Sequence, residues 1–348
     1  MANQKKRILV IRTDRIGDVV VSTPVFETLK TAYPDAWIAA MVRPYTRDLL
    51  KNNPYVDEII EYKPDSTHKG LSGILAMVRT LKNGHFDTVI TLFSNFRLGL
   101  ITYMAGIPTR IAPATKVAQL FYNHRISQRR SKSTQHEADY NLDLLKVLGI
   151  TDMKKNVAIW IDKSAEEASR QYLKENNLFQ AWENKKLIGI HPGSGGSARN
   201  WQPERYAQLA DRLISEFSYS VLLTGGLGEK ELLSTVQSKM TRKSLIFTSN
   251  SIMELAAMLK NFSAFISSST GPMHMAAAVK TPTVSLFCPI TACLPIRWGP
   301  IGNEQRVLLP EAPECSKCVE DKCKYFDCME MISIDTTIKA VNELVGIE

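Results

Sequence analysis

The sequence predicts an α/β protein made of two domains, each with a parallel sheet covered by helices. Its 348 residues are enough for two domains at about 150 residues each. Apolar, β-branched runs alternate with longer amphipathic segments from end to end, which is the pattern of βα units. Each half also begins with a strand that leads into a loop of small residues.

In the first half, short apolar runs bounded by polar turns predict five strands. The interval between the first two strands has helical periodicity and predicts a helix over Val25–Tyr33. The strands are Arg7–Ile11, Ala36–Val42, Glu58–Tyr62, Thr88–Leu92 and Arg110–Ala112.

The second half repeats this architecture without repeating the sequence. Its predicted strands are Leu187–His191, Ser220–Thr224, Ser244–Phe247, Ala264–Ser267 and Thr283–Phe287. We expect the domain boundary in the polar stretch Lys163–Lys186, giving domains 1–165 and 166–330. Apolar residues at helical spacing predict a terminal helix within 331–348.

Composition excludes several classes of protein. A hydrophobic fraction of 44% and a charged fraction of 22% fit neither wholesale disorder nor an integral membrane protein. The 43 basic and 35 acidic residues give a net charge of +8, which favours anionic partners. Aromatic residues are not interleaved with the basic ones and no nucleic-acid-binding motif is present, so we expect no nucleic-acid partner.

Two features bear on localisation. The apolar run Ile8–Ile11 is too short for a signal peptide. The long uncharged stretch Asn261–Val279 is interrupted by serines, a glycine and a proline, which excludes a lipid-spanning helix. We therefore expect a cytoplasmic protein, with at most peripheral contact at the inner membrane.

The first chemical motif is IRTDRIGDVVVSTP, Ile11–Pro24, directly after a strand. Ligands of parallel sheets bind at the carboxyl ends of strands, so Asp18 beside Gly17 is a candidate catalytic carboxylate. Asp14 or Asp18 acting only as a helix N-cap is the alternative. Thr23 and Pro24 fit an N-cap and first helical residue, which would leave Asp18 in a tight turn.

The second motif follows strand Leu187–His191 and contains Gly193–Ser197 before a helix that opens at Pro203. Small residues let the backbone approach a diphosphate, the hydroxyls of Ser194 and Ser197 can donate, and Arg199 supplies positive charge. The Gly-Lys-Ser/Thr ending of a P-loop is missing. A merely flexible loop is the alternative.

The third motif is AFISSSTGPMHMAAAV, Ala264–Val279. Gly271 permits an unusual turn, and Pro272 opens a helix whose N-terminus would face an anion. His274, in the first turn, either has a structural role or donates a hydrogen bond to a sugar or phosphate oxygen.

Six cysteines lie in the last 61 residues, and the last four read C-x2-C-x4-C-x4-C. This spacing suggests a zinc or iron–sulfur site formed by Cys315, Cys318, Cys323 and Cys328. Reduced structural thiols are the interpretation that we favour. A basic run, Arg125–Lys132, predicts either a solvated loop or a surface that docks phosphate or anionic lipid.

Together, the three motifs resemble the heptosyltransferase-type glycosyltransferases of family 9 over nearly the whole chain. The strongest matches are RIGDVVVSTP, WQPERYAQLADRL, STGPMHMAAA and the terminal C-M-x-x-I of Cys328–Ile332. The resemblance implies a GT-B fold, with two Rossmann-like domains facing a cleft, the acceptor on the N-terminal domain and the donor on the C-terminal one. It also implies that the final helix crosses back to the N-terminal domain.

The resemblance also implies roles for individual residues. Asp18 takes the position of the general base, Arg199 that of a lysine at the donor phosphate and Ser194 that of a phosphate-binding hydroxyl. Gly271 and His274 match the family's G-x-x-H. Ser269 departs from the pattern, because heptosyltransferases carry aspartate there, so a hexose or aminosugar donor stays open beside heptose.

The reaction implied is an inverting, metal-independent transfer from a nucleotide-diphosphate sugar, ADP-heptose-like, to a lipopolysaccharide-core or other glycan acceptor. Asp18 would remove the acceptor proton. No cofactor is expected. The diphosphate would be held by Arg199, the Ser194–Ser197 loop and groups around Ser269, Thr270, Gly271, Met273 and His274. An anionic, lipid-linked or oligosaccharide acceptor would be held by Arg12, Arg15, Gly17 and Arg43.

Two other functions fit the same residues. A nucleotide-sugar epimerase of the same fold would need no acceptor. A non-catalytic protein that binds nucleotide sugars or polyanions would need no base. Dependence of product formation on an acceptor separates a transferase from both.

Overall fold

The computed structural model describes residues 5–196, 198–302 and 304–346, which fold into two compact units. The first is Met1–Arg130 with Glu137–Trp160, and the second is Ser131–His136 with Ile161–Glu348. The boundary expected at residues 165 and 166 thus falls at 160 and 161, and the polar stretch around it belongs to the second unit.

A parallel sheet of six strands forms the first unit, in the order β3-β2-β1-β4-β5-β6. Its central strand pairs with both neighbours, so that Ile8 lies opposite Ile38 on one side and Thr88 on the other. The strand order reverses between β1 and β4, which makes their carboxyl ends the switch point where ligands bind in such sheets. The strands are β1 (Arg7–Ile11), β2 (Trp37–Val42), β3 (Glu58–Glu61), β4 (Thr88–Thr91), β5 (Thr109–Pro113) and β6 (His124–Ile126).

Five helices accompany this sheet: α1 (Ile16–Val20), α2 (Thr23–Ala32), α3 (Gly70–Asn83), α4 (Phe96–Met104) and α5 (Glu137–Asp143). Asp18 lies in the short helix α1, which corrects the prediction of a tight turn. The N-cap of α2 is Ser22 instead of Thr23. The Thr23 hydroxyl donates to the Val20 carbonyl at 2.8 Å, which draws Thr23 into the first turn of α2.

The second unit has the same topology, with a parallel sheet in the order β12-β11-β10-β7-β8-β9. Here the switch point lies between β7 and β10. The strands are β7 (Leu187–His191), β8 (Ser220–Gly226), β9 (Leu245–Ser249), β10 (Ala264–Ser268), β11 (Thr283–Leu286) and β12 (Gln305–Leu308).

Its helices are α6 (Lys163–Glu175), α7 (Phe179–Glu183), α8 (Pro203–Phe217), α9 (Lys230–Ser238), α10 (Ile252–Leu259), α11 (Gly271–Ala278), α12 (Pro295–Trp298) and α13 (Ile334–Val345). The prediction of a helix opening at Pro203 is confirmed, with Tyr206, Leu209 and Leu213 fully buried on one face. Full burial of such a side chain stabilises the fold by about 1.5–3 kcal/mol.

The terminal helix α13 packs within the second unit, which differs from the expected return to the N-terminal domain. It lies against α8 and against strands β10 to β12. Ile338, Val341 and Leu344 join the hydrophobic core that contains Tyr206. The helical spacing of these residues gives α13 one apolar face, and this face packs into that hydrophobic core.

Two short strands, β6 and β12, were not predicted. Gln305 opens β12 and His124 opens β6, and both residues are exposed. Each strand is at the edge of its sheet, where apolar patterning is weak because one side lacks a neighbouring strand. No helix within the described residues is both long and apolar enough to cross a bilayer.

Candidate active site

Arg12, directly after β1 at the first switch point, lies at the centre of a buried cluster of acidic side chains. Its Nε donates to Asp14 Oδ1 at 2.7 Å, and its two terminal nitrogens donate to Asp18 Oδ1 and to Glu137 Oε1. The terminal nitrogen of Arg12 that donates to Glu137 also donates to Asn141 Oδ1 at 3.1 Å. We call these five residues the Arg12 cluster.

The Arg12 cluster presents Asp18 to solvent while hiding the groups that hold it. The side chain of Asp18 is 17% exposed, that of Arg12 is 3% exposed and that of Glu137 is 1% exposed. Ser22 donates to the Asp18 carbonyl at 2.7 Å, which adds a backbone restraint. Asp18 is therefore a fixed, reachable carboxylate of the kind that general-base chemistry requires.

Burial and the neighbouring charges shift the pKa values of two groups in the cluster, Arg12 and Asp14. Burial opposes the charged form of Arg12, but the carboxylates of Asp14, Asp18 and Glu137 outweigh it and raise its pKa above the ordinary value. Burial raises the pKa of Asp14 to about 6; Arg12 opposes this rise and the nearby Asp18 adds to it. Asp14 therefore takes up a proton closer to neutral pH than an ordinary aspartate does.

Arg12 was expected to contact the acceptor. Its guanidinium is buried and all three nitrogens are used within the cluster, so it positions Asp18. Of the other expected acceptor residues, Arg15 is exposed and Gly17 is buried. Arg43 is partly exposed; it donates to the Thr13 carbonyl at 3.2 Å and to Asp65 at 2.5 Å.

Glu137 and Asn141 were missed because they are 119 or more positions from Asp18 in the sequence and carry no motif. Arg130, counted within the basic run, is not a free phosphate ligand. It donates to Glu137 Oε1 at 2.5 Å and stacks over the Tyr140 ring at 5.5 Å.

At the second switch point, β10 ends in three small hydroxylic residues before α11. Within the described residues, the hydroxyls of Ser267, Ser268 and Thr270 are buried and have no hydrogen-bond partner. Thr270 occupies the N-cap of α11 but its side chain does not cap the helix. An unpaired buried hydroxyl beside a helix N-terminus is a feature that a bound anionic group would satisfy.

Pro272 and His274 of the third motif lie in the first turn of α11, as predicted. Pro272 occupies one of the first two helical positions, and Met273 is fully buried. Burial, with a smaller effect from His136, lowers the pKa of His274 to about 3. His274 is therefore a neutral imidazole near neutral pH, and its ring lies edge-on to Trp298.

The loop after β7 carries the second motif. Gly195 and Gly196 have φ of +54° and +68°, which side chains disfavour. A Cβ on Gly193 would lie 1.8 Å from Glu229 Oε1, so any larger residue there would displace the Glu229 side chain. Ser194 is partly exposed. Ser197 lies outside the described residues.

Two further polar groups of this region, His191 and Glu229, were not predicted. His191 Nε2 lies 3.6 Å from a Glu229 oxygen, and its Nδ1 lies 3.2 Å from the Thr224 hydroxyl. Burial lowers the pKa of His191, and the Glu229 carboxylate opposes this shift. The His191–Glu229 contact brings the turn Leu227–Glu229, which follows β8, against the end of β7.

Arg199 does not extend freely into the glycine loop. Its guanidinium donates to Cys318 Sγ and to the Phe326 carbonyl, each at 3.0 Å, and stacks on the Phe326 ring. It lines a cavity of about 90 Å³ together with the four cysteines of the terminal motif. The C-terminal segment therefore sets the position of this arginine.

All six cysteines are free thiols. Within the described residues, no group of three or more histidine, cysteine or acidic side chains is arranged to hold a metal ion. A hydrogen bond from Cys293 lowers the pKa of Cys288 to about 6.

The WQPER segment, Trp201–Arg205, contacts the C-terminal segment. Trp201 Nε1 donates to the Met329 carbonyl at 2.8 Å, and Arg205 donates to the Ile332 carbonyl at 2.7 Å. The start of α8 thus holds the terminal C-M-x-x-I segment, Cys328–Ile332.

Comparisons with known proteins agree with this geometry. The family described as glycosyltransferase family 9 (heptosyltransferase) matches residues 74–328. A putative glycosyltransferase of Haemophilus influenzae is 34% identical over 347 residues, covering 97% of this chain and 96% of that protein.

Two solved structures are similar over almost their full length. The glycosyl transferase family 9 protein of Veillonella parvula superposes with a TM-score of 0.88 at 25% identity, covering 99% of this chain and 98% of the other. The ADP-heptose LPS heptosyltransferase II of Escherichia coli gives 0.78 at 20% identity, covering 97% and 98%. These likenesses confirm the predicted fold class.

Proposed function

Because this chain belongs to glycosyltransferase family 9, we propose that it transfers a heptose from ADP-heptose to a lipopolysaccharide-core sugar, inverting the anomeric carbon. The observation that carries the proposal is Asp18, a partly exposed carboxylate fixed by the buried Arg12 at a strand end. The LPS heptosyltransferase of similar fold supports the choice of donor and acceptor class.

Asp18 acts as the general base. The acceptor hydroxyl oxygen forms a bond to the anomeric carbon as the bond from that carbon to the diphosphate oxygen breaks, and the hydroxyl proton passes to Asp18. Such a base contributes about 10²–10⁴-fold to the rate. Arg12 holds the carboxylate in place and stays charged, because its pKa is raised by the three surrounding carboxylates against the effect of burial.

The second unit binds the donor and stabilises the leaving diphosphate. The Thr270 hydroxyl and the first amides of α11 provide hydrogen bonds at the second switch point. The loop around Ser194 and the guanidinium of Arg199 supply further donors. His274, neutral because burial lowers its pKa to about 3, contributes a hydrogen bond without charge.

The proposal requires neither metal nor cofactor, since these groups supply the charge stabilisation that a divalent ion provides elsewhere. It places the enzyme in the cytoplasm, in peripheral contact with the inner membrane where a lipid-linked acceptor is presented. Arg15 and Arg43 are the residues proposed to contact an anionic acceptor. Ser269, in place of the aspartate expected for heptose, makes a hexose or aminosugar donor the alternative.

A panel of ADP-, UDP-, GDP- and CDP-sugars tests the donor. Calorimetry and thermal shift are run in EDTA on the wild type and Arg199→Ala, with Arg242→Ala as the control because Arg242 is exposed and distant in sequence. We expect ADP-heptose to raise the melting temperature by mass action and Arg199→Ala to weaken binding. Binding of a different nucleotide sugar would reassign the donor, and binding only with a divalent ion would contradict metal independence.

Product analysis with the same nucleotide sugars, with and without an acceptor, separates the other functions. Sugar-nucleotide product without an acceptor would indicate an epimerase. Tight binding without turnover for any acceptor would indicate a non-catalytic binding protein. Salt-dependent binding of polyanions alone would indicate a charge-driven role.

A further inference from the structure

Large apolar side chains are exposed on one part of the first unit. Leu71 on α3 is 70% exposed and Leu120, in the turn Val117–Phe121, is 71% exposed. Phe96 and Tyr103 on α4 and Val117 in that turn are each more than half exposed. We call these five side chains the apolar face.

The elements that carry the apolar face are packed together. Helix α4 lies against both α3 and the turn Val117–Phe121. The ring of Phe121 joins this turn to α4, because its centroid is 5.2 Å from that of Phe96 and 6.0 Å from that of Tyr103. Leu71 lies on the helix packed beside α4, and exposed apolar side chains on adjoining elements mark an interaction site.

The stretch of sequence that carries the apolar face is rich in basic residues. From Ser66 to Ile126 the sequence has seven lysines and arginines and one acidic residue, although the whole chain has 43 basic and 35 acidic residues. That acidic residue, Asp87, accepts a hydrogen bond from the Arg7 backbone at 2.7 Å. Five of the basic residues are exposed: Lys69, Arg79, Lys82, Lys116 and Arg125.

The other two basic residues support the surface. Arg110 Nε donates to the Phe121 carbonyl at 2.8 Å, and its guanidinium lies over the Tyr103 ring at 5.5 Å. Arg97 donates to the Gly70 carbonyl at 3.1 Å, which ties α4 to the start of α3. Both arginines thus fix the elements that carry the apolar face. Four of the exposed cations, Lys69, Arg79, Lys82 and Lys116, lie on those elements or directly before them.

We propose that the apolar face docks on a bilayer that contains anionic phospholipid. Aromatic and aliphatic side chains enter the interface between headgroups and acyl chains, and the surrounding lysines and arginines remain at the anionic headgroups. A second copy of the chain is the less suitable occupant, because a symmetric pairing would bring two sets of like charges together. The inference rests on the peripheral membrane contact of the proposed function and assigns the surface that makes it; its test needs no transfer chemistry.

Sedimentation of the full chain with vesicles tests the proposal. We use phosphatidylcholine vesicles and vesicles of phosphatidylcholine mixed with phosphatidylglycerol, at low and high salt. We expect binding to the mixed vesicles at least about tenfold tighter than to phosphatidylcholine alone, and weaker at high salt, because each cation near the surface contributes about fivefold.

Two variants test the surface itself. Leu120→Glu and Lys116→Glu are each expected to weaken binding to the mixed vesicles about tenfold or more. Their matched controls in the second unit are Leu309→Glu and Lys243→Glu, since Leu309 is 44% exposed and Lys243 is also exposed. The controls should bind as the wild type does, and all four variants should keep the wild-type melting temperature and donor affinity.

Three results would overturn the proposal. The wild type would remain in the supernatant with both kinds of vesicle, or the controls would lose as much binding as the test variants. Alternatively, light scattering would show a dimer that Leu120→Glu dissociates, which would make the apolar face a contact between copies. Loss of donor binding with intact vesicle binding would count against the transferase proposal alone.

Discussion

Arg12 donates one terminal nitrogen to Asp18 and the other to Glu137, so that a partly exposed carboxylate and a fully buried one are held by the same guanidinium. Replacing Arg12 removes the guanidinium that the carboxylates of Asp14, Asp18 and Glu137 share. Arg12 is therefore a positioning residue, and its effects on stability and on rate are separable.

Replacing Arg12 with methionine should lower the free energy of unfolding by roughly 3–5 kcal/mol, the usual effect of breaking a buried ion pair. Arg47→Met is the control, because Arg47 is largely exposed and pairs with Asp48 and Glu61, and should change stability by about 1 kcal/mol or less. Urea unfolding measures both. Arg12→Lys keeps the charge and should recover part of the stability that Arg12→Met loses. It should lower kcat by a larger factor than it changes the KM for the donor. An unchanged kcat would exclude the positioning role.

Asp14 should make the protein less stable as the pH rises from about 4 to 6. Burial raises the pKa of Asp14 to about 6 in the folded state, above its unfolded value, so the folded state binds the proton more tightly over that range. Asp14→Asn should therefore increase the free energy of unfolding at pH 8 by up to about 3 kcal/mol and change it little at pH 4. Urea unfolding at both pH values checks this, and a loss of stability at pH 8 would contradict it.

His274 should make the protein less stable as the pH falls, which is opposite to the effect of Asp14. Burial lowers the pKa of His274 to about 3, so its contribution is lost as the pH falls below its unfolded value of about 6.5. His274→Gln should reduce the loss of stability between pH 7 and 5 by up to about 2 kcal/mol. His124→Gln, at an exposed histidine, serves as the control. An acid-sensitivity equal to that of the wild type would show that His274 is not buried as a neutral ring.

Thr270→Val separates a ligand-binding hydroxyl from a structural one. The hydroxyl is buried without a partner, so its removal should leave the melting temperature unchanged or higher. The Kd for the donor should rise about threefold to tenfold, the effect of one lost hydrogen bond. Thr283→Val, which removes another buried unpaired hydroxyl in β11, should leave the Kd unchanged. Equal effects of both variants would remove Thr270 from the donor site.

The architecture and the two strand-end loops were predictable because their signals are local. Apolar runs such as Leu187–His191 and the helix start at Pro203 each lie within a few residues of the feature they specify. Asp18 was identified in the same way. Strand β6 and the packing partner of α13 could not be predicted in this way, because they depend on which surface the rest of the chain leaves open.

The groups that hold the candidate site depend on distant contacts. Glu137 reaches Arg12 across 125 positions, and Cys318 reaches Arg199 across 119. No spacing rule connects such pairs. The sequence therefore identified Asp18 and Arg199 as candidates but assigned Arg12 to the acceptor, because the burial of its guanidinium follows only from the folded chain.

The most direct test of the transferase proposal is a single-turnover measurement of sugar transfer, by mass spectrometry of the acceptor, with wild type, Asp18→Asn and Asp152→Asn. Asp152 is 75% exposed and pairs with Lys154, so its variant is the matched control. We predict a rate about 10²–10⁴-fold lower for Asp18→Asn with unchanged donor affinity, and a wild-type rate for Asp152→Asn. Transfer by Asp18→Asn at the wild-type rate would contradict the assignment of Asp18 as the base.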